Sequence, residues 1–165
     1  MSRLYRTMLL MLAVVATVSG CAQPPRYDEI AHTLPPLSPG QARIYAYRGP
    51  NVYEGLERVP ILLNGRQAGA VGPGQVTMID VMPGPYAIEA ATQGLVPNQV
   101  IPADLAPGQT IYVKVTTVRG LNPQSQTSRQ MNTHVAVLMD PAVAQQEIAG
   151  LAFISSERKA HASAG

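Results

Sequence analysis

The chain has one cysteine, no tryptophan and one phenylalanine among 165 residues, and only 13% of it is charged. A single thiol closes no intramolecular disulfide and supplies no thiolate cluster for a structural metal, so the fold must rest on packing. Blocks of like charge are also missing. The 12 lysines and arginines stand against 10 acids, and loss of an N-terminal segment carrying Arg3 and Arg6 would leave the two signs equal. A chain without net charge or clustered basic residues lacks the electrostatic footprint of a nucleic-acid binder, so no nucleic-acid partner is expected. The uncharged run at residues 8–18 is about half of the roughly 20 residues that cross a hydrocarbon core, which argues against a permanent transmembrane helix.

Catalytic signatures are as sparse. His32, His134 and His161 have no helical or hairpin spacing that would gather two of them, whereas a metal site needs three or four converging ligands. No metal and no cofactor is expected. Residues 124–130 are rich in Ser and Thr, yet no Gly-x-Ser-x-Gly elbow occurs and no histidine has an evident acid to orient it. Glu54, Glu57, Asp80 and Glu89 are the carboxylates of the β region, and nothing fixes the separation that paired glycosidic acids require; they read as solvated loop and strand positions. Gly72-Pro73-Gly74 lacks the Gly-Lys-Ser/Thr ending and the following helix of a phosphate loop, so it reads as a turn. The expectation is a protein that is not an enzyme.

What is present begins with Val18-Ser19-Gly20-Cys21, which follows Arg3, Arg6 and the apolar run in the three-part layout of a secretory signal. It resembles the bacterial lipoprotein signal. That resemblance implies a signal peptide over residues 1–20 and lipidation of Cys21 as the new N-terminus, with palmitate-type acyl chains. Two or more chains hold a protein stably on a membrane, where one holds marginally. An ordinary secretory signal cut after Ala22 is the alternative, but it gives the position of the cysteine no role. Because Ala22 and not aspartate follows Cys21, the resemblance implies the outer membrane, with the protein facing the periplasm. Pro24, Pro25, Pro35, Pro36 and Pro39 make residues 21–41 a proline-rich linker, readable either as a stalk or as a stretch that wraps the domain.

From Ala42 onward, short runs of Val, Ile, Thr and Tyr alternate with Gly and Pro turns. In Ala42-Arg43-Ile44-Tyr45-Ala46-Tyr47-Arg48 a period of two puts Ala42, Ile44 and Ala46 on one face and Arg43, Tyr45 and Tyr47 on the other. Asn64-Gly65 between 59–63 and 66–71 predicts a type I′ hairpin. A second hairpin is expected around Met82-Pro83-Gly84-Pro85, and an edge strand at 98–101, where Pro97 and Pro102 forbid a central position. Residues 110–117 and 134–139 read as strands flanking a polar loop at 122–132. Ala144, Ile148 and Leu151 share a helix face, with Asp140 as cap and Pro141 at the first position.

These segments, in order, resemble the DUF2846 family, a domain of unknown function in bacterial lipoproteins and secreted proteins, and more distantly PEGA-type domains. The likeness rests on residues 42–48, on Leu63-Asn64-Gly65-Arg66, on Ile79-Asp80-Val81-Met82-Pro83-Gly84-Pro85-Tyr86, and on Leu105-Ala106-Pro107-Gly108-Gln109-Thr110-Ile111-Tyr112-Val113. It implies a compact antiparallel β-sandwich over 42–154 with one short C-terminal helix and a flexible tail at 155–165, and it carries no catalytic residues. Tyr45, Tyr47 and Arg48 form a candidate binding patch, because exposed tyrosine beside arginine is a recognition composition; the other reading is cross-strand packing. The functional expectation is a lipid-anchored module with a structural or protein-interaction role in the cell envelope, partnered by the membrane and by an envelope protein; a binder of a small ligand or envelope polymer is the alternative. Oligomeric state is not legible in the sequence.

Overall fold

Asn64 and Gly65 both adopt positive φ, 51° and 75°, which is the backbone a type I′ turn demands. Here that turn closes a hairpin between β2 (Val59–Leu63) and β3 (Arg66–Val71), with Leu63 opposite Arg66. Ile61 faces Gly69 while Leu62 faces Gln67, so Ala68 is an extra residue and bulges β3. The computed structural model that shows this describes residues 23–51, 56–91, 99–121 and 130–156. Its other strands are β1 (Ala42–Arg48), β4 (Gln75–Val81), β5 (Gly84–Ala90), β6 (Val100–Leu105), β7 (Thr110–Leu121), β8 (Gln130–Met139) and β9 (Ala152–Ser155). Two short α-helices, α1 (Tyr27–Ile30) and α2 (Pro141–Ile148), and a 3-10 turn at Ala31–Thr33 complete the described elements.

The strands form two sheets, ordered β8-β7-β1-β4-β9 and β3-β2-β5-β6, so the fold is the expected all-β sandwich. Two details depart from the expectation. The five-stranded sheet is mixed, because β1 pairs with β7 and β4 with β9 in parallel. The turn at Met82-Pro83 joins β4 of one sheet to β5 of the other, so it is a crossing between layers and not a second hairpin. Gly84, at φ 136°, provides the sharp change of direction. β6 is an edge strand, as Pro102 requires, but it runs through Pro102 to Leu105; Pro97 and Asn98 of the expected strand lie outside the described residues.

Between the sheets lies an aliphatic core of Ala42, Ile44, Ala46, Val59, Ile61, Ile88, Val113 and Val115, among others. The opposite face of β1 is covered as well, and all seven of its residues are buried. That cover is made first by α2. Asp140 Oδ1 accepts from the N–H groups of Ala142 and Val143 at 2.9 and 3.3 Å, Pro141 opens the helix, and Ala144, Ile148 and Leu151 face inward as the spacing predicts. β9 follows within the stretch expected to run out into the tail; residues 157–165 of that tail lie outside the described residues.

The second part of the cover is the proline-rich segment itself. Phe153 N–H donates to Pro25 O at 2.8 Å, Tyr27 N–H donates to Leu151 O at 2.8 Å, and Arg26 bridges to Ala152. Of the two readings of residues 21–41, the described part follows the wrapping one. Residues 25–27 are therefore paired with the segment at 151–153. The physical reason is that β9 has a free edge, and Pro25 still offers a carbonyl to it.

Candidate functional site

The residues of the candidate patch are not on the surface. Tyr45 is 6% exposed, and Tyr47 and Arg48 are fully buried. Periodicity also divides them: Tyr45 and Tyr47 project toward α2, whereas Arg48 has the parity of Ala46 and points to the sandwich side. The tyrosines are packing residues. Parallel pairing sets Tyr45 directly beside Tyr112, and the rings stack at 5.4 Å with 12° between planes. Tyr27 meets Tyr45 edge-on at 5.5 Å. Tyr47 O–H donates to Glu147 Oε2 at 2.6 Å, and Lys114 Nζ donates to Glu147 Oε1 at 2.7 Å. Burial first, then the bond to Glu147, pushes the Tyr47 hydroxyl well above its ordinary range. Lys114 first, and Tyr47 second, hold the Glu147 carboxyl below its ordinary value against an opposing effect of burial. Arg43, expected beside the tyrosines, clamps Asp80 opposite it with two bonds of 2.7 and 2.9 Å and also donates to Pro35 O at 3.0 Å.

Arg48 anchors a second, polar cluster. Its Nη1 donates to Glu57 O and its Nη2 to Thr117 Oγ1, each at 3.0 Å. Thr117 lies directly opposite His134 in the β7–β8 pairing, with Oγ1 3.0 Å from His134 Nδ1. His134 Nε2 lies 3.2 Å from Glu57 Oε1. The directions agree throughout if His134 is neutral with its proton on Nε2: Arg48 donates to Thr117, Thr117 to His134, and His134 to Glu57. The Glu57 carboxyl is lowered first by its own backbone N–H, against burial, with the Arg48 charge and the hydrogen bond from His134 acting in the same direction. Glu57 is thus an acid partner of His134 that was not evident in the sequence.

A hydroxyl, an imidazole and a carboxylate in line are the donor set of acyl-transfer enzymes. Here the hydroxyl oxygen already receives the buried Arg48, and Thr117 is only 9% exposed. The arrangement fastens the chain leading into β2 onto β1, β7 and β8. Arg48 and Glu57 are far in sequence from Thr117 and His134, and the one available signal was a charged residue at the core-facing parity of β1.

A shallow groove of about 480 Å³ on the outer face of the second sheet is lined by Asn64, Pro85, Tyr86, Ala87, Pro102, Ala103 and Asp104, and includes none of the patch residues. Among the described residues no group of three or more His, Cys, Asp or Glu could hold a metal, and no helix is long and apolar enough to cross a membrane. Among the exposed apolar side chains, Val118 on β7 and Val137 and Leu138 on β8 are 53%, 41% and 51% exposed. Cys21, Glu54, His161 and residues 122–129 of the polar loop lie outside the described residues. No family model matches the chain, and neither a curated protein nor a solved structure does.

Proposed function

We propose that this chain is a lipid-anchored module of the bacterial envelope, held through acylated Cys21 on the periplasmic side of the outer membrane, with a structural or protein-interaction role and not an enzymatic one. The observation that carries this reading is Val18-Ser19-Gly20-Cys21 at the end of the basic and then apolar N-terminal segment, and its closeness to the fold sets what an anchor there would do. Only Ala22, Gln23 and Pro24 separate Cys21 from Pro25, whose carbonyl is already hydrogen-bonded to β9. Such a tether reaches about 14 Å at most. An anchored domain of this kind stands against the bilayer surface, where envelope proteins meet it. The likeness to DUF2846 belongs to the same proposal and agrees with the sandwich. A ligand-binding role has the open groove beside Tyr86 in its favour, but the Tyr86 hydroxyl is occupied by Met82 O at 2.8 Å, and Asp104 is the only charged residue lining it.

The test is Cys21→Ser in a cell that exports the protein. Palmitate labelling should disappear and the protein should leave the membrane fraction. A variant that is processed normally and stays with the membrane would overturn the anchor.

A further inference from the structure

The two sheets have four edges, and three of them carry a device that discourages further pairing. β9 is bridged by Arg26 and hydrogen-bonded by Pro25. β3 bulges at Ala68, and one of its carbonyls, Ala70 O, is taken by Arg58 at 3.0 Å. β6 carries Pro102 and the exposed Asp104. β8 has none of these. It is ten residues long, contains no proline and no Asp, Glu, Lys or Arg, and its histidine is turned inward to Thr117 and Glu57. Among the described residues β8 pairs only with β7.

We propose that β8 is a pairing edge and that its partner is β8 of a second copy of this chain, running antiparallel across a two-fold axis. Two observations favour a second copy. An uncharged strand paired with itself sets no like charges opposite one another, and the two-fold brings the exposed Val118 and Val137 of each chain into one apolar strip. A two-fold that makes edge strands antiparallel also runs perpendicular to the sheet, so each face of the sheet is continuous through both copies. The N-terminal segments lie on the α2 face, where Tyr27 packs on Tyr45, and they therefore emerge on the same side in both copies. Two lipid anchors then enter one bilayer, and shared residence on that surface raises the effective concentration of the pair. The inference rests in this respect on the anchored reading above.

Full-length protein in isolated membranes tests it. Single cysteines are introduced as Thr133→Cys, Val135→Cys and Val137→Cys along β8, with Val143→Cys on α2 as the control. Oxidation should give a species of doubled mass from the β8 positions and not from the control. Val137→Lys should weaken self-association by about tenfold, since it places a charge on the pairing edge. Val137→Thr, which keeps the β-branched side chain, should retain it. β8 cysteines that remain monomeric, or that crosslink no better than Val143→Cys, would overturn the proposal; so would a β8 crosslink to a chain of different mass. Membrane retention of the wild type is scored separately: a monomer that stays on the membrane removes only the pairing, and a dimer found in the soluble fraction removes only the anchor.

Discussion

Arg48 decides how one end of the sandwich closes. It is fully buried, and its guanidinium supplies donors to the Glu57 carbonyl and the Thr117 hydroxyl, which in turn sets the His134 ring. Arg48→Met fills much of the same volume but leaves these acceptors without their donor. It should cost about 3 kcal/mol of stability in chemical denaturation, within the range for groups left unsatisfied in a core. Glu147 gives a prediction in pH. Its carboxyl sits below the ordinary 4.5 because of Lys114 and then Tyr47, so the stability it contributes is fully present above that value and is lost as the pH falls through the lower folded one. Unfolding free energies of wild type and Glu147→Gln should therefore differ at neutral pH and converge in acid; a gap that persists at low pH would assign the effect to shape and not to charge. At this scale the sequence was half legible. The period of two in β1 correctly divides Tyr45 and Tyr47 from Ile44, but periodicity names the side of a strand and not what lies against that side. The cover over the tyrosines comes from residues 27 and 144–151, which no local pattern connects to β1.

Elements with their own local chemistry were the readable ones. Asn64-Gly65 specifies its turn through two positive φ angles, and Asn64 Oδ1 also accepts from Ala87 N at 2.8 Å, tying the turn to β5. Helix α2 was legible through Asp140, Pro141 and the face of Ala144, Ile148 and Leu151. β9 was not, since a four-residue strand acquires its identity from β4 and from Pro25, its neighbours in space. The cap offers a test. Asp140→Ala should destabilise α2 by about 1 kcal/mol, and because the chain has no tryptophan, tyrosine emission can report the loosening over Tyr45, Tyr47 and Tyr112. Unchanged emission and unchanged hydrogen exchange in α2 would show that packing alone holds the helix.

At the scale of the whole molecule, the segment around Pro25 and Arg26 pairs with β9, so the earliest described part of the chain meets the last described strand. β1, the central strand of its sheet, likewise acquires its β7 neighbour only after five intervening strands. Contacts of such long sequence separation impose a loop-closure cost before they stabilise anything, and they slow folding. A chain delivered from its N-terminus, whether by a ribosome or through a membrane, can form the β2–β3 hairpin early. It cannot complete the five-stranded sheet until Ala152–Ser155 has emerged. The Arg26–Ala152 bridge thus orders events in time: until the last strand is out, Pro25 and Arg26 have no strand to pair with, and the bridge marks the moment the sheet is complete.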